Sequence, residues 1–234
     1  MTGATLEYFM HYRPIDGQTV EQRHAFVVEA MSKLPPPLSW EGLRIPPAPD
    51  FGEGLTAHFE VAYATPGIEL VGDYIFRGRS YIPRDSASSD DRIVIEFDTK
   101  NQHLKYRSML HQHLAGAISA FGGYLARGLY SDYSTQYHDL HRAELDKLLN
   151  DSELDLNGRN NIFSLQVVQF WDAELCQRAL GYGRDEVIKR LTGKVSLVRP
   201  LMDGVYVVFN DDPDLTFEEF CAYNDRLKPV LGLQ

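Results

Sequence analysis

The chain lacks the features that mark membrane-spanning, secreted or disulfide-stapled proteins. Its 234 residues include two cysteines, too few for a disulfide framework, which favours a reducing compartment. The longest apolar stretch, residues 114–121, is far shorter than the roughly 20 residues that a bilayer-spanning helix needs. The first residues form neither the basic nor the apolar region of a secretory signal. We therefore expect a cytoplasmic protein without a membrane partner.

Positive charge is scarce as well, with 23 Lys and Arg residues against 33 Asp and Glu residues and a formal net charge of −10. This balance argues against direct nucleic-acid binding, which normally requires a basic face. Residues 200–225 contain no Lys or Arg, and they concentrate negative charge at Asp203, Asp211, Asp212, Asp214, Glu218, Glu219 and Asp225. Such a field steers a basic partner toward the surface, although acidic residues also simply keep proteins soluble.

Established catalytic motifs are missing. The sequence has no nucleophile elbow, no phosphate-binding loop and no dinucleotide-binding motif. The histidine pairs His111 with His113 and His138 with His141 lack a third ligand at a fixed spacing, so surface positions on polar helix faces explain them better than a metal site. We therefore expect no catalytic residues, no metal and no cofactor, and a protein that is not an enzyme.

One enzymatic alternative stays open. The strand pattern at residues 92–97 is followed by Asp98 and Lys100, which resembles the core of restriction-type nucleases, where carboxylates hold a divalent metal and a Lys positions the attacking water. The pattern is short, and an acidic chain is poorly suited to approach a polyanion. A metal-dependent nuclease is therefore the second hypothesis. The upstream carboxylate that it needs is available at Asp73, Asp85, Asp90 or Asp91.

The periodicity of apolar residues predicts an α+β fold. Predicted strands cover residues 6–12, 56–64, 69–77, 92–97, 162–170, 195–199 and 205–209. Predicted helices cover residues 20–34, 103–129, 136–149, 171–191 and 217–227. Capping boxes open two of these helices, Thr19 with Gln22 and Thr216 with Glu219. We expect one compact domain over residues 1–234, with an antiparallel or mixed sheet packed with helices, a Pro-rich surface connection at 35–54 and a polar loop at 151–161.

Tyrosines cluster after the predicted long helix, at Tyr130, Tyr133 and Tyr137. A tyrosine offers a large contact area for little loss of side-chain entropy, which suits a binding interface. The same rings are equally suited to covering the core. These positions are therefore a second choice as contact residues.

Both ends of the chain resemble one family. Residues 195–214 form a strand pattern, a Gly-containing turn, a second strand and an Asp-Pro turn, and the helix that follows ends near Leu227-Lys-Pro229. Residues 6–13 and the Thr-opened helix after them match the family's opening segment. These features are similar to bacterial type VI secretion immunity proteins, of the group paired with restriction-endonuclease-like toxin nucleases. The family's Gly-Trp-Leu-Thr motif is replaced here by Asn-Ile-Phe-Ser-Leu at 161–165, which leaves the subfamily and the toxin open.

The resemblance implies a cytoplasmic binding protein that blocks the active site or the DNA cleft of a cognate toxin, whose nuclease domain is expected to be basic. Active-site plugging, inhibition from a distance and the oligomeric state stay open. The predicted toxin-binding residues are the acidic Asp211, Asp212, Asp214, Glu218 and Glu219, and after them Tyr130, Tyr133 and Tyr137.

Overall fold

Eight strands form one antiparallel sheet in the order β2-β3-β4-β1-β5-β6-β8-β7. The computed structural model describes residues 5–40, 44, 46–50, 56–65, 67–75 and 85–233. The sheet with its helices confirms the predicted α+β class. The strands are β1 (Thr5–Tyr12), β2 (Thr56–Thr65), β3 (Ile68–Ile75), β4 (Asp91–Asp98), β5 (Leu125–Leu129), β6 (Val168–Trp171), β7 (Leu197–Leu201) and β8 (Gly204–Val208).

Both predicted capping boxes are present, because Thr19 and Thr216 each accept the backbone N–H three residues on, and Gln22 and Glu219 reach back. A π-helical segment, Met109–His113, joins two of the helices into one rod. The α-helices are α1 (Val20–Ser32), α2 (Tyr106–Ser108), α3 (Leu114–Phe121), α4 (Ser131–Leu140), α5 (Arg142–Leu149), α6 (Ala173–Leu180), α7 (Arg184–Leu191) and α8 (Phe217–Leu231).

Helices cover one face of the sheet over β1 and β8. On this face α1 and α3 pack over the buried alternate residues of β1, and the ring of Tyr12 meets that of Phe121 at 4.4 Å. The hydroxyl of Tyr206 in β8 donates to the carbonyl of Leu110 in the π-helical segment. One part of the core therefore lies between this face of the sheet and the helices α1 and α3.

The other face is covered over the β6-β8-β7 half. Strands β6 and β8 are buried on both faces, and α6 and α7 pack against β6, β7 and β8. By contrast, Glu7 and Phe9 on β1 and Arg92 and Glu96 on β4 keep some exposure, although His11 and Val94 on the same side are buried. We call this partly exposed face of the β2-β3-β4-β1 half, as far as the described residues define it, the open face.

Three predicted boundaries are wrong. The helix predicted over 103–129 ends at Phe121, where Gly122 adopts a left-handed φ of 71°, and residues 125–129 form β5. The strand predicted over 162–170 is limited to β6, because residues before it form a buried loop in which Asn224 binds the backbone N–H and carbonyl of Leu165. The helix predicted over 136–149 begins earlier, at Ser131, and is broken at His141 into α4 and α5.

The Pro-rich connection also departs from expectation. Leu38 and Trp40 in its described part are buried in the core rather than exposed on the surface, and the ring of Trp40 lies 6.3 Å from that of Phe59 on β2. The remainder of 35–54 lies partly outside the described residues. None of the helices in the described part of the chain has both the length and the apolar character that crossing a lipid bilayer requires.

Candidate functional site

The loop between β8 and α8 presents carboxylates on a fixed backbone. The side-chain oxygen of Asn210 accepts from the backbone N–H of Asp212 at 2.7 Å, and Asp212 in turn accepts from the N–H of Asp214 at 2.9 Å. These short side-chain turns are the local structures that Asn and Asp favour. We call residues 211–214 the acidic loop. Asp212 and Asp214 are exposed on it.

Asp211 is paired more extensively than Asp214, whose carboxylate lies 3.4 Å from Nε2 of His103. One carboxylate oxygen of Asp211 lies 2.9 Å from Nε of Arg107 and 3.0 Å from Nε2 of His111, and the other accepts from Oγ of Ser196 at 3.0 Å. His111 belongs to the π-helical segment. Asp211 therefore anchors the acidic loop to that segment and contributes less to the outward field than its position in the sequence suggests.

The first turn of α8 continues the negative surface. Glu219 accepts from the backbone N–H and the hydroxyl of Thr216 at 2.9 and 3.0 Å, and these bonds lower the pKa of its carboxyl group. Glu218 is exposed beside it, in the first helical turn, where a negative charge also complements the helix dipole. The capping box therefore fixes the carboxylate of Glu219 and the backbone from which Glu218 projects.

Tyr133 lies at the centre of these charges. Its hydroxyl donates to the carbonyl of Leu215 at 2.7 Å, so α4 is tied to the end of the acidic loop. Partial burial raises its pKa, and the charges of Glu218, Glu219 and Asp132 raise it further. We call the surface formed by the members of this set the α4–α8 acidic surface: Asp132, Tyr133, Asp212, Asp214, Glu218 and Glu219.

Tyr130 and Tyr137 belong to the core, which corrects the prediction that they contact a partner. The hydroxyls of Tyr130 and Tyr106 are 2.9 Å apart in the interior. Tyr137 is 1% exposed, and its ring packs edge-on against Phe220. A partner has no access to either ring in this conformation, so of the three tyrosines only the half-buried Tyr133 can contribute contact area.

The acid-rich stretch of the sequence is divided in space. Asp203 lies in the β7–β8 turn, where its charge, after burial and the charge of Asp172, raises the pKa of Cys176 in α6 to about 12. Asp225 lies two turns further along α8, where its charge, after burial, raises the pKa of Tyr137. Neither belongs to the α4–α8 acidic surface, which is therefore smaller than the sequence suggests.

Asp98 has a structural role that explains its position at the end of β4. Its carboxylate accepts from the backbone N–H of Lys100 and from the side-chain amide of Asn101, both at 2.8 Å, and so closes a turn. Asp73 pairs with Arg92 at the opposite end of β4, six residues or about 20 Å away. Asp85 and Asp90 are both paired with Arg159, away from Asp98.

The candidate metal ligands are therefore not brought together around Asp98. Across the residues that the structure describes, no three His, Cys, Asp or Glu side chains are arranged to hold a metal ion. His111 is bound to Asp211, while the ring of His141 packs on Tyr137 at 4.2 Å. The geometry gives the nuclease alternative no support.

The open face of the sheet carries a feature that sequence patterns alone did not reveal. Glu7, Glu96 and Glu69 lie directly opposite one another on β1, β4 and β3. The next row along the same strands is apolar and consists of Phe9, Val94 and Val71. The alternation of residue types in β1 and β4 was a usable signal, because it places the glutamates away from the core, but only the strand order aligns them.

The third row of the open face is an ion-pair network. Asp73 accepts from Nε of Arg92 at 2.7 Å and lies 2.8 Å from Nδ1 of His58. His11 lies next to Arg92 and accepts weakly from Arg127 at 3.4 Å. Along the strands, the open face thus has a row of glutamates, then a row of apolar residues, then a row of ion-paired residues.

Comparison with known proteins finds a likeness among solved structures but none in sequence. No protein-family model matches the chain, and no curated protein matches it in sequence. Among solved structures the chain is similar to the T6SS protein PA0821 of Pseudomonas aeruginosa, with a TM-score of 0.52 and 11% sequence identity. The match covers 98% of this chain and 76% of that chain. At this identity the likeness shows that the two proteins share a fold.

Proposed function

We propose that this chain is an immunity protein of a type VI secretion system, which binds a cognate antibacterial toxin in the cytoplasm of the producing cell and neutralises it without chemistry of its own. The observation that carries the proposal is the α4–α8 acidic surface, where Asp212, Asp214 and Glu218 are exposed on a backbone that side-chain turns and a capping box hold in place. The fold shared with the T6SS protein PA0821 supports the same assignment.

The chemistry of this surface favours a basic partner. Fixed carboxylates need no rearrangement to meet Lys or Arg side chains, and a negative field raises association rates toward about 10⁸ M⁻¹s⁻¹ at low salt. A nuclease domain must carry positive charge where it binds DNA. Carboxylates held at fixed positions can occupy that cleft in place of phosphates, so the proposed mode of inhibition is occlusion of the cleft or active site of a nuclease toxin.

The test is coexpression with the product of the adjacent toxin gene. The wild-type chain is expected to restore growth and to co-purify with the toxin. The variant Asp212→Asn/Asp214→Asn/Glu218→Gln is expected to associate more slowly and to rescue less well. A matched variant that removes three exposed charges elsewhere, Asp16→Asn/Glu153→Gln/Asp185→Asn, is expected to behave as wild type. Failure of the wild-type chain both to rescue growth and to co-purify ends the proposal.

The nuclease alternative is tested with the same purified protein. Incubation with plasmid DNA and Mg²⁺ or Mn²⁺ is expected to leave the DNA intact. Cleavage that disappears in Asp98→Ala would instead establish the enzyme and displace the immunity proposal.

A further inference from the structure

The open face of the sheet is a half-exposed surface with an apolar centre that does not belong to the main core. Val94 is 6% exposed, yet it lies outside the main hydrophobic core formed by the described residues, as do Phe9 and Val71 beside it. The opposite side chains of the same strands, such as Tyr8 and Ile95, are fully buried under the helices. One face of these strands is therefore used for folding, whereas the apolar row on the other face lies outside the main core of the described residues.

The glutamate row borders this apolar centre and is costly to maintain. In an antiparallel pair, residues directly opposite each other have Cβ atoms about 5 Å apart, and like charges at that distance destabilise the sheet. In the described part of the chain, neither Glu69 nor Glu96 has an ion-pair partner. Glu60 on β2 adds a fourth negative charge to the same neighbourhood, and burial together with the three other glutamates raises the pKa of Glu96.

A recess that is open to solvent lies at the edge of this row. It has a volume of about 310 Å³ and is lined by Thr5, Gly67, Glu69, Glu96, Asp98 and Asn101. Asp98 already accepts hydrogen bonds in its turn, whereas Glu69 and Glu96 have no side-chain hydrogen bond to another described residue. Two carboxylates beside a recess match the donors of a guanidinium or ammonium group.

The open face is also continuous with the α4–α8 acidic surface. Glu7 accepts a hydrogen bond from Oγ of Ser131, the first residue of α4, and Asp132 follows immediately as part of the acidic surface. Negative charge therefore extends from the glutamate row across the start of α4 to the acidic loop.

We propose that the open face is the docking centre for the basic partner, with an apolar group of the partner on Phe9 and Val71 and an Arg or Lys side chain in the recess beside Glu69 and Glu96. This inference rests on the proposed function. It assigns the α4–α8 acidic surface a different role, that of the charged rim of the interface, which attracts the partner during association. The division matches how interfaces work, because desolvated central contacts govern dissociation whereas rim charges govern association.

The experiment compares two variants, each of which removes three negative charges from a different surface. Glu7→Gln/Glu69→Gln/Glu96→Gln changes the centre, and Asp212→Asn/Asp214→Asn/Glu218→Gln changes the rim. Association and dissociation rates are measured by surface plasmon resonance against the toxin encoded by the adjacent gene, in its catalytically inactive form. The centre variant is expected to dissociate at least about tenfold faster, and the rim variant to associate about tenfold more slowly with a dissociation rate close to wild type.

Misfolding is excluded by measuring stability on the same samples. Removal of the glutamate repulsion is expected to raise the urea midpoint of the centre variant, so weaker binding by a more stable protein cannot result from unfolding. A centre variant that dissociates like wild type overturns the docking proposal and leaves the immunity proposal intact. Phe9→Ser, which removes apolar surface without changing charge, is expected to speed dissociation as well.

If the wild-type chain binds no toxin, the immunity proposal fails, and the docking surface is tested separately with an octa-arginine peptide as probe. NMR titration is expected to shift the amides of Phe9, Glu69 and Glu96 more than those of the acidic loop. Shifts confined to the acidic loop overturn the inference.

Discussion

Glu7 and Glu96 lie directly opposite each other on neighbouring antiparallel strands, and both keep some exposure on the open face of the sheet. Strands usually place opposite charges or apolar pairs at such positions, since like charges there oppose folding. The chain therefore carries a repulsive contact in the middle of its sheet. A natural protein retains such a contact when it serves a purpose other than stability.

The first prediction is that Glu96→Gln stabilises the protein. Loss of repulsion with Glu7 and Glu69 is expected to raise the free energy of unfolding by about 0.5 to 1 kcal/mol at pH 7 in low salt, measured by urea denaturation. The gain is expected to shrink in 1 M NaCl, where charges are screened beyond about 3 Å. Asp16→Asn, at an exposed loop position, is the control and is expected to change little. A destabilised Glu96→Gln variant would contradict the assigned repulsion.

The second prediction separates the tyrosines by burial. Tyr137→Ala is expected to lower the free energy of unfolding by about 3 to 5 kcal/mol, because it leaves a cavity among Phe163, Phe220 and His141. Tyr133→Phe removes only the hydrogen bond to Leu215 and is expected to cost about 1 kcal/mol. Thermal or urea unfolding gives both values, and equal losses for the two variants would refute the difference in burial.

Local signals in the sequence predicted the parts of the fold that depend on neighbouring residues. Each capping box, at Thr19 and at Thr216, is formed by residues within one four-residue segment, and the turn of the β7–β8 hairpin is equally local. The helix predicted over 103–129 fails at its end for the opposite reason. Residues 125–129 have an apolar pattern that fits either element, and their pairing with β1 and β6 decides for a strand.

The candidate site shows the same limit. Composition located the acidic loop, but it could not show that Asp211 is paired with His111, which is 100 residues away. Nor could it align Glu7, Glu69 and Glu96, since their meeting depends on the strand order β3-β4-β1 rather than on chain order. Burial of Tyr130 and Tyr137 likewise follows from the way α4 packs on α8, which no local pattern specifies.

The third prediction concerns a buried ion pair that joins two loops. The guanidinium of Arg159 binds the carboxylate of Asp90, which is 0% exposed and also accepts from the hydroxyl of Tyr124. Arg159→Met leaves that carboxylate buried without its cation and is expected to cost about 3 to 5 kcal/mol of unfolding free energy. Asp90→Asn/Arg159→Met is expected to cost less than the two single variants together, as measured by a double-mutant cycle. Strict additivity would show that the pair is not coupled.

The fourth prediction is that the protein loses stability in mild acid because His11 is buried in its neutral form. Burial, followed by the charges of Arg127, Arg92 and Arg159, lowers the pKa of His11 well below its usual value of about 6.5. Below that value the unfolded chain takes up a proton that the folded chain refuses, so the free energy of unfolding falls as the pH drops from 7 toward 5.

His11→Gln keeps a polar group at this position and cannot titrate. The difference in unfolding free energy between the wild type and His11→Gln is therefore expected to change with pH between 7 and 5, in favour of the variant at the acidic end. Urea denaturation at several pH values measures it. A difference that stays constant over this range would show that His11 is protonated as easily in the folded chain as in the unfolded one.

The fifth prediction uses two glycines near the same helix to test what ends it. Gly122 follows α3 with a φ of 71°, a left-handed conformation that costs a side chain about 1 kcal/mol, and no atom lies within 4 Å of the position that a methyl group would take there. Gly122→Ala is therefore expected to lower the free energy of unfolding by about that amount through the backbone alone.

Gly116 lies inside α3, where an added methyl group makes only ordinary contact with Leu34 at 3.7 Å. Gly116→Ala is expected to stabilise by up to about 1 kcal/mol, because alanine favours the helix. Opposite signs in urea denaturation would show that Gly122 ends the helix by its conformation, whereas equal signs would assign the end of the helix to the pairing of β5 instead.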